Sequence, residues 1–556
     1  MRLEDYARAA MACILCVQTL FAQTNACVQQ LGPANTSQVA YSMYFESKVK
    51  DIPQCGMSVT GGKITLAQAI LNPAMSCSDM FGWKLFTDAV TQQFWKNWAG
   101  DPQTFPGCVA GQTGCNDGVH QPTNPLPICT AGSIPGQCCD PSSLTNPGYG
   151  GTWNPASLCP YFPGDHTGQP PAMEAPLAAR MSKAHTLSFV KAAGATPAML
   201  RGNASEPPRV IRQTQVELVF RNREMWSYVF RNGLYYREGM AKVIANANAE
   251  FAKGGNPPYR IQDPSGAANE IRFPPGAIMI KSNWLDEETA IRMGLKDDPP
   301  HVKMEIRTPV NESNPSGFRT FVKGIYWLVA FHMSSKDLPN WTWATFEHVD
   351  NPGRCDYLGC NDSYGYETVD PVLPTQAHNY TAPKVKCDNL VEPSWIFDLD
   401  KIYAGGRIRP GLAGVFRALG IGTGPASPTL TSASPAWLNY RLKGTQTDFT
   451  DSMGRYTRLA NSVTEGGFAN SASCIGCHSR SAIGPRGESP LGVFMNTLHE
   501  SGYGRSHNGP PVPSWFQTST QPPQYTALQA DFVWGFVFAR CLDSKFDSGC
   551  LAGIPP

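Results

Sequence analysis

The chain has 556 residues, enough for two to four domains with separate cores. Lysine and arginine together number 45 against 44 aspartates and glutamates, a formal net charge of +1 that excludes a global field for gathering nucleic acid or anionic membrane. There is no dense Lys/Arg run and no aromatic-basic interleaving, so no nucleic-acid partner is expected; 42% hydrophobic and 16% charged residues describe a folded chain.

Arg2 and Arg8 bracket the start of an apolar run, Ala9–Leu20, followed by small residues at Ala22 and Ala26. The run is too short to span a bilayer and has the layout of an export signal, although Glu4 and Asp5 are atypical of one. Residues 1–26 are therefore expected to be a signal peptide and the protein to be periplasmic or secreted, from a bacterium. No later segment has enough consecutive apolar residues for a transmembrane helix, so no membrane span is expected.

Residues 27–214 form an expected N-terminal region, with Trp83, Phe94 and Trp95 as candidate core residues. The 52 Gly and 48 Pro of the chain concentrate in residues 100–175 and 352–435, implying many turns and long loops. Of the 18 Cys, Cys13 and Cys16 fall in the signal and Cys474 and Cys477 in a motif described below, leaving fourteen. An even number in an exported chain reads as a disulfide framework, and six of them lie between Cys108 and Cys159. A cluster of metal-binding cysteines would need paired C-x-x-C spacings, which the fourteen lack.

Residues 215–435 are expected to form a helix followed by a β-rich domain. From Val216 to Ala249 the pattern predicts a helix, with Met225, Trp226, Val229, Phe230 and Leu234 at three- and four-residue spacing. Glu270–Phe273, Ala277–Trp284, Val302–Arg307, Thr320–His332 and Trp341–Val349 then predict strands, with a turn at Pro274-Pro275-Gly276. These strands suit a sandwich, or a sheet backed by the preceding helix. Residues 436–556 are expected to be a mainly α domain containing an apolar helix over Tyr525–Arg540. The fold class expected is thus α+β and multidomain.

Ser473-Cys474-Ile475-Gly476-Cys477-His478, within residues 436–556, gives the expectation that this segment is a cytochrome-c-like haem domain. Covalent haem c needs two thiols spaced to reach two vinyl groups, followed by an imidazole for the iron, and C-x-x-C-H supplies that order. A zinc knuckle would need a second ligand pair nearby. A thioredoxin-like pair would follow a strand at a helix start, whereas residues 470–473 read as a loop. A disulfide between such close neighbours closes almost no loop. Cys474 and Cys477 are the expected attachment points of one haem c and His478 its axial ligand. Met495, on a candidate helix Leu491–Glu500, is the candidate sixth ligand of the iron; core filling, His499, His507 and an open position are the alternatives.

Several segments recur together in a known set of proteins: Phe273-Pro274-Pro275-Gly276 through Lys281-Ser282-Asn283-Trp284, Ala330-Phe331-His332, Trp343 through Asn351, Trp437 through Leu442, and Leu459-Ala460-Asn461-Ser462. With the C-x-x-C-H they make the chain resemble an exported bacterial family usually labelled only "cytochrome c family protein". The resemblance covers roughly residues 215–540, and Phe346-Glu347-His348-Val349-Asp350-Asn351 is its most specific part. It implies a periplasmic location and one haem c, and says little about substrate.

In a strand, Trp343, Thr345, Glu347 and Val349 share one face while Phe346 and His348 share the other. Glu347 and His348 can enter one pocket only where the strand bulges or ends. A second polar site of His332 with Glu347 or His348 is one reading, as metal or substrate site or as a distal group over the haem; hydrogen bonding to a loop is the plainer one. Three functions follow as expectations: an electron carrier between periplasmic redox partners, a haem c-dependent oxidoreductase with a small-molecule substrate, or a haem-bearing sensor without turnover. The size of the chain favours the second, since a carrier needs only about one small domain.

Overall fold

Most of the β-branched and aromatic stretches between residues 277 and 349 form strands of an eight-stranded antiparallel sheet. The computed structural model describes residues 28–30, 54–66, 72–106, 124–134, 136–142, 158–166, 180–181, 211, 215–252, 268–309, 321–355, 360–361, 365–366, 380–381, 384–386, 394–396, 402–403, 405–450, 454, 456–465, 472–491 and 509–542. In chain order the strands of this sheet are β1 Ala99–Gly100, β2 Arg180–Met181, β3 Val216–Arg221, β4 Ile278–Asp286, β5 Lys303–Pro309, β6 Phe321–Ser335, β7 Thr342–His348 and β8 Tyr440–Gln446. Their spatial order is β8-β7-β6-β4-β3-β1, with β2 paired to β3 and β5 to β6. β4 takes one edge of β6 from Ser335 to Tyr326, and β7 and β5 follow each other along the opposite edge. The sheet thus draws strands from all three segments 27–214, 215–435 and 436–556.

The strands alternate apolar and polar residues, and both faces are buried. On the apolar face Phe331 and Phe346 stack at 4.9 Å between ring centroids. Helix α1 (Ser78–Thr91) lies over them, with Phe86 stacked on Phe331 at 5.9 Å and Trp83 edge-on to Phe346 at 5.1 Å. Gly82 permits that approach, since a Cβ there would come within 3.3 Å of both Ala344 Cβ and Thr445 Cγ2. Deleting a ring from such a cluster typically costs about 3–5 kcal/mol. The other face carries Glu217, Arg221, Lys281, His332, Thr345, Glu347 and Gln446, and is where the site lies.

Three sequence expectations are corrected here. The helix expected over Val216–Ala249 begins as strand β3, where Val216, Leu218 and Phe220 turn to one face and Glu217 and Arg221 to the other. Asn222 then caps helix α2 (Arg223–Arg231), its Oδ1 accepting from Met225 N at 3.1 Å. Gly233, at φ 64°, closes that helix: Leu234 N donates to Val229 O at 2.9 Å, and helix α3 (Arg237–Ala252) restarts the pattern. Glu270–Phe273 is not a strand; Phe273 N donates instead to the Asp531 carboxylate at 2.7 Å. Tyr525–Arg540 is not an α-helix, because Asp531 and Phe532 adopt φ of 45° and 67°, which no right-handed helix admits.

Disulfides join Cys55 to Cys77, Cys129 to Cys138 and Cys139 to Cys159. Cys355 and Cys541 are also disulfide-bonded, whereas Cys474 and Cys477 are in no disulfide. A bridge such as Cys139–Cys159, spanning 20 residues, is worth about 3 kcal/mol by restricting the unfolded chain. Alkylation in denaturant without reductant is therefore expected to leave those six paired cysteines unlabelled in protein produced in an oxidising compartment. Labelling of either Cys139 or Cys159 would contradict the pairing.

Candidate functional site

The C-x-x-C-H segment is a single helical turn, α4 (Cys474–His478), started by Ser473, whose Oγ accepts from Gly476 N at 3.2 Å. Gln446, the last residue of the edge strand β8, ties this turn to the sheet. Its Nε2 donates to Ser473 Oγ at 2.9 Å and to Thr457 Oγ1 at 2.7 Å, while its Oε1 accepts from Ile475 N at 3.0 Å. Trp534 Nε1 holds the far side, donating to Cys477 O at 3.2 Å.

The imidazole of His478 is fixed on two sides. Its ring lies over the Trp343 indole at 4.4 Å between centroids. Its Nδ1 is 2.7 Å from Phe532 O, and since a carbonyl can only accept, Nδ1 carries the proton and Nε2 is the electron-pair donor. The left-handed Asp531–Phe532 pair presents that carbonyl. Asp531 is locked by Phe273 N at 2.7 Å, Lys336 Nζ at 2.5 Å and Trp341 Nε1 at 3.3 Å, so the strained backbone is held from three directions.

Cys474, Cys477 and His478 line one wall of a solvent-open cavity. The polar face of the sheet supplies the opposite wall, with Met279 and Lys281 from β4, His332 and Ser334 from β6, and Trp343 from β7. The register brings them together: Lys281 pairs with His332, Met279 with Ser334, and Ser334 with Trp343. Glu465 completes the wall, its Oε1 3.1 Å from His332 Nε2. Burial pushes the Glu465 carboxyl up, but His332, Lys281 and the Asn461 N–H outweigh it and hold it down at about 2. Glu465 is thus a carboxylate, and the His332 nitrogen facing it carries a proton.

Two cysteines at C-x-x-C spacing beside an imidazole anchored through Nδ1 are the donor set that a covalently held haem requires. The electrostatics argue against a reactive thiolate. Burial, with Glu465 adding to it, pushes the Cys474 thiol well above its ordinary value, opposite to what a nucleophilic or redox cysteine requires. Among the described residues no group of three or more His, Cys, Asp or Glu converges as a metal-ion site.

The residues expected as a second polar site are separated. His332 lines the cavity. Glu347 holds down the loop 459–465, accepting from Ser462 N at 2.7 Å, Ser462 Oγ at 2.5 Å and Lys443 Nζ at 3.2 Å. Asn461 of the same loop donates to Thr345 Oγ1 and Phe346 O, and Thr464 Oγ1 donates to Asn283. His348 points to the other side of β7, as strand alternation requires. It is buried against His301, the ring centroids 3.5 Å apart, with Nε2 3.3 Å from Pro300 O. A shared site of His332, Glu347 and His348 is therefore not formed. Met495, His499 and His507 lie outside the described residues. Glu465, Gln446 and the Phe532 carbonyl were not singled out from sequence: a lone Glu, a strand-end Gln and a main-chain oxygen carry no motif.

The His301–His348 stack has a pH signature. Burial pushes both imidazoles below their ordinary value of 6.5, and His301 beside it lowers His348 further. The unfolded chain then binds more protons than the folded one, so this contribution is intact above pH 6.5 and is lost as pH falls. Thermal unfolding midpoints are expected to drop between about pH 7 and pH 5, where unperturbed His titrates. His348→Gln, less stable at neutral pH, is expected to lose less over that interval. An equal or steeper loss in the variant would assign the acid sensitivity elsewhere.

No helix among the described residues is long and apolar enough to cross a membrane. Asn283, His332, Glu347 and the loop residues Asn461 and Ser462 meet on this one face of the sheet, whereas Leu442, paired with Phe346, lies on the apolar face. No family model, no curated protein and no solved structure matches the chain.

Proposed function

We propose that the chain is an exported c-type cytochrome that holds one haem c on Cys474 and Cys477, with His478 as axial ligand, and transfers electrons to and from periplasmic redox partners. The observation that carries this reading is the meeting of Cys474, Cys477 and a Phe532-anchored imidazole on one cavity, with neither cysteine in a disulfide while Cys55, Cys77, Cys129, Cys138, Cys139, Cys159, Cys355 and Cys541 are. Bound there, the iron would supply reversible one-electron chemistry between ferric and ferrous states.

The protein's own residues prepare the site for that role. The Phe532 carbonyl fixes the His478 tautomer and makes Nε2 a more basic donor, as outer hydrogen bonds to metal-binding histidines do. Gln446 and Trp534 fix both ends of the turn, so the spacing of the two sulfurs is set before anything binds. Trp343, Trp534 and Leu459 make part of the wall apolar, and the cavity stays open to solvent at one side. The disulfides, the export-type N-terminus and the family resemblance all favour the oxidising compartment in which haem c is attached.

The test is export of the chain in cells that mature c-type cytochromes, followed by pyridine haemochrome spectra. The parent is expected to give a c-type spectrum that survives acid-acetone extraction. Cys477→Ser should retain at most one thioether, and the double variant Cys474→Ser/Cys477→Ser should lose all covalent haem. A parent without covalent haem, or a double variant that keeps it, would overturn the reading.

A further inference from the structure

Resting on the haem reading above, we propose that His332 is the second axial ligand, binding the iron through Nδ1 on the side opposite His478. The observation behind this is an orphan: His332 Nδ1 is buried and has no hydrogen-bond partner. A buried ring nitrogen left bare is unfavourable unless something else engages it. The other nitrogen explains which form the ring takes. Nε2 faces the ionised Glu465 at 3.1 Å and so carries the proton, which leaves Nδ1 as a lone-pair donor on a cavity shared with His478, Cys474 and Cys477.

A carboxylate on one imidazole nitrogen with the other left for a metal is the outer-sphere pattern of histidine ligands. Here the carboxylate is itself anchored. Glu465 Oε2 accepts from Asn461 N at 2.8 Å, and the Asn461 amide donates to Thr345 and Phe346 of β7. His332 is therefore aimed by a chain of contacts that runs back to its own sheet. Trp343, under the His478 ring, stands diagonally across the strand pair from His332, a separation of about 7–8 Å for such positions. Met279 and Lys281 share the wall, but Lys281 is engaged with Glu217 at 3.5 Å, and Met279 has no group comparable to Glu465 that orients it.

The experiment compares absorption and electron paramagnetic resonance spectra of exported holoprotein carrying no change, His332→Ala, His332→Met or Met279→Leu. Pyridine haemochrome content is measured on each. The parent is expected to be low-spin in both oxidation states and inert to CO. His332→Ala is expected to become high-spin and to bind CO, and added imidazole should restore the low-spin form. His332→Met, which preserves bulk and a ligand, should stay low-spin with a higher midpoint potential, since His/Met coordination raises it. Met279→Leu, a change in the cavity wall, should stay low-spin and inert to CO, with any difference confined to potential or haem content. A CO-binding, high-spin parent would overturn the assignment, as would a His332→Ala protein that remains low-spin. Loss of low-spin character in Met279→Leu would instead assign the position to Met279. A parent lacking covalent haem would fail the haem reading itself, an outcome the haemochrome measurement separates from the others.

Discussion

One side-chain amide joins the two halves of the site. Gln446 ends the edge strand β8 directly across from Trp343, and its three hydrogen bonds grip Ser473, Thr457 and the main chain of Ile475. Through it the register of the sheet dictates where the C-x-x-C-H turn sits. Each such bond is worth only about 0.5–1.5 kcal/mol net, but leaving the buried partners bare costs more. The amide therefore acts less as a source of stability than as a locator. With it in place, His478 falls over Trp343 and under the Phe532 carbonyl.

The same logic governs the loop 459–465. Glu347 and Lys443 form a buried ion pair at 3.2 Å, and buried pairs add little net stability compared with an apolar replacement. Removing one partner alone is different, at about 3–5 kcal/mol, because the survivor is stranded. Glu347 uses its remaining acceptor capacity on the main chain and hydroxyl of Ser462, which places Glu465 beside His332. The polar face of the sheet is thus a set of aimed contacts. The aromatic packing of α1 on Phe331 and Phe346 supplies the cohesion from the opposite face.

Much of this was legible in the residues, for identifiable reasons. β4, β5, β6 and β7 announced themselves by β-branched and aromatic runs, and alternation placed Trp343, Thr345 and Glu347 on one face and Phe346 and His348 on the other. Alternation could not tell which buried face served the site, because a polar stripe covered by a loop looks the same as one facing water. β8 was missed: Tyr440-Arg441-Leu442-Lys443-Gly444-Thr445-Gln446 reads as an ordinary solvated strand or loop, yet its Arg, Lys and Gln are buried by long-range partners. Tyr525–Arg540 misled in the opposite sense, since its apolar spacing suits a helix while Asp531 is recruited by Phe273, Lys336 and Trp341 from more than a hundred residues away. Of the candidate site, the Cys474–His478 motif was local and readable; Glu465 and Gln446 matter only through contacts that span 133 and 27 residues.

Every role proposed for the site depends on a covalent haem in the cavity between the C-x-x-C-H turn and the sheet. Peptide mapping by mass spectrometry of the purified, exported chain tests this most directly. The account predicts that the peptide containing Cys474 and Cys477 carries the mass of one haem and no disulfide, while peptides containing Cys139 and Cys159 are recovered linked to each other. Recovery of the Cys474–Cys477 peptide unmodified, or as an internal disulfide, from cells that mature other c-type cytochromes would contradict it.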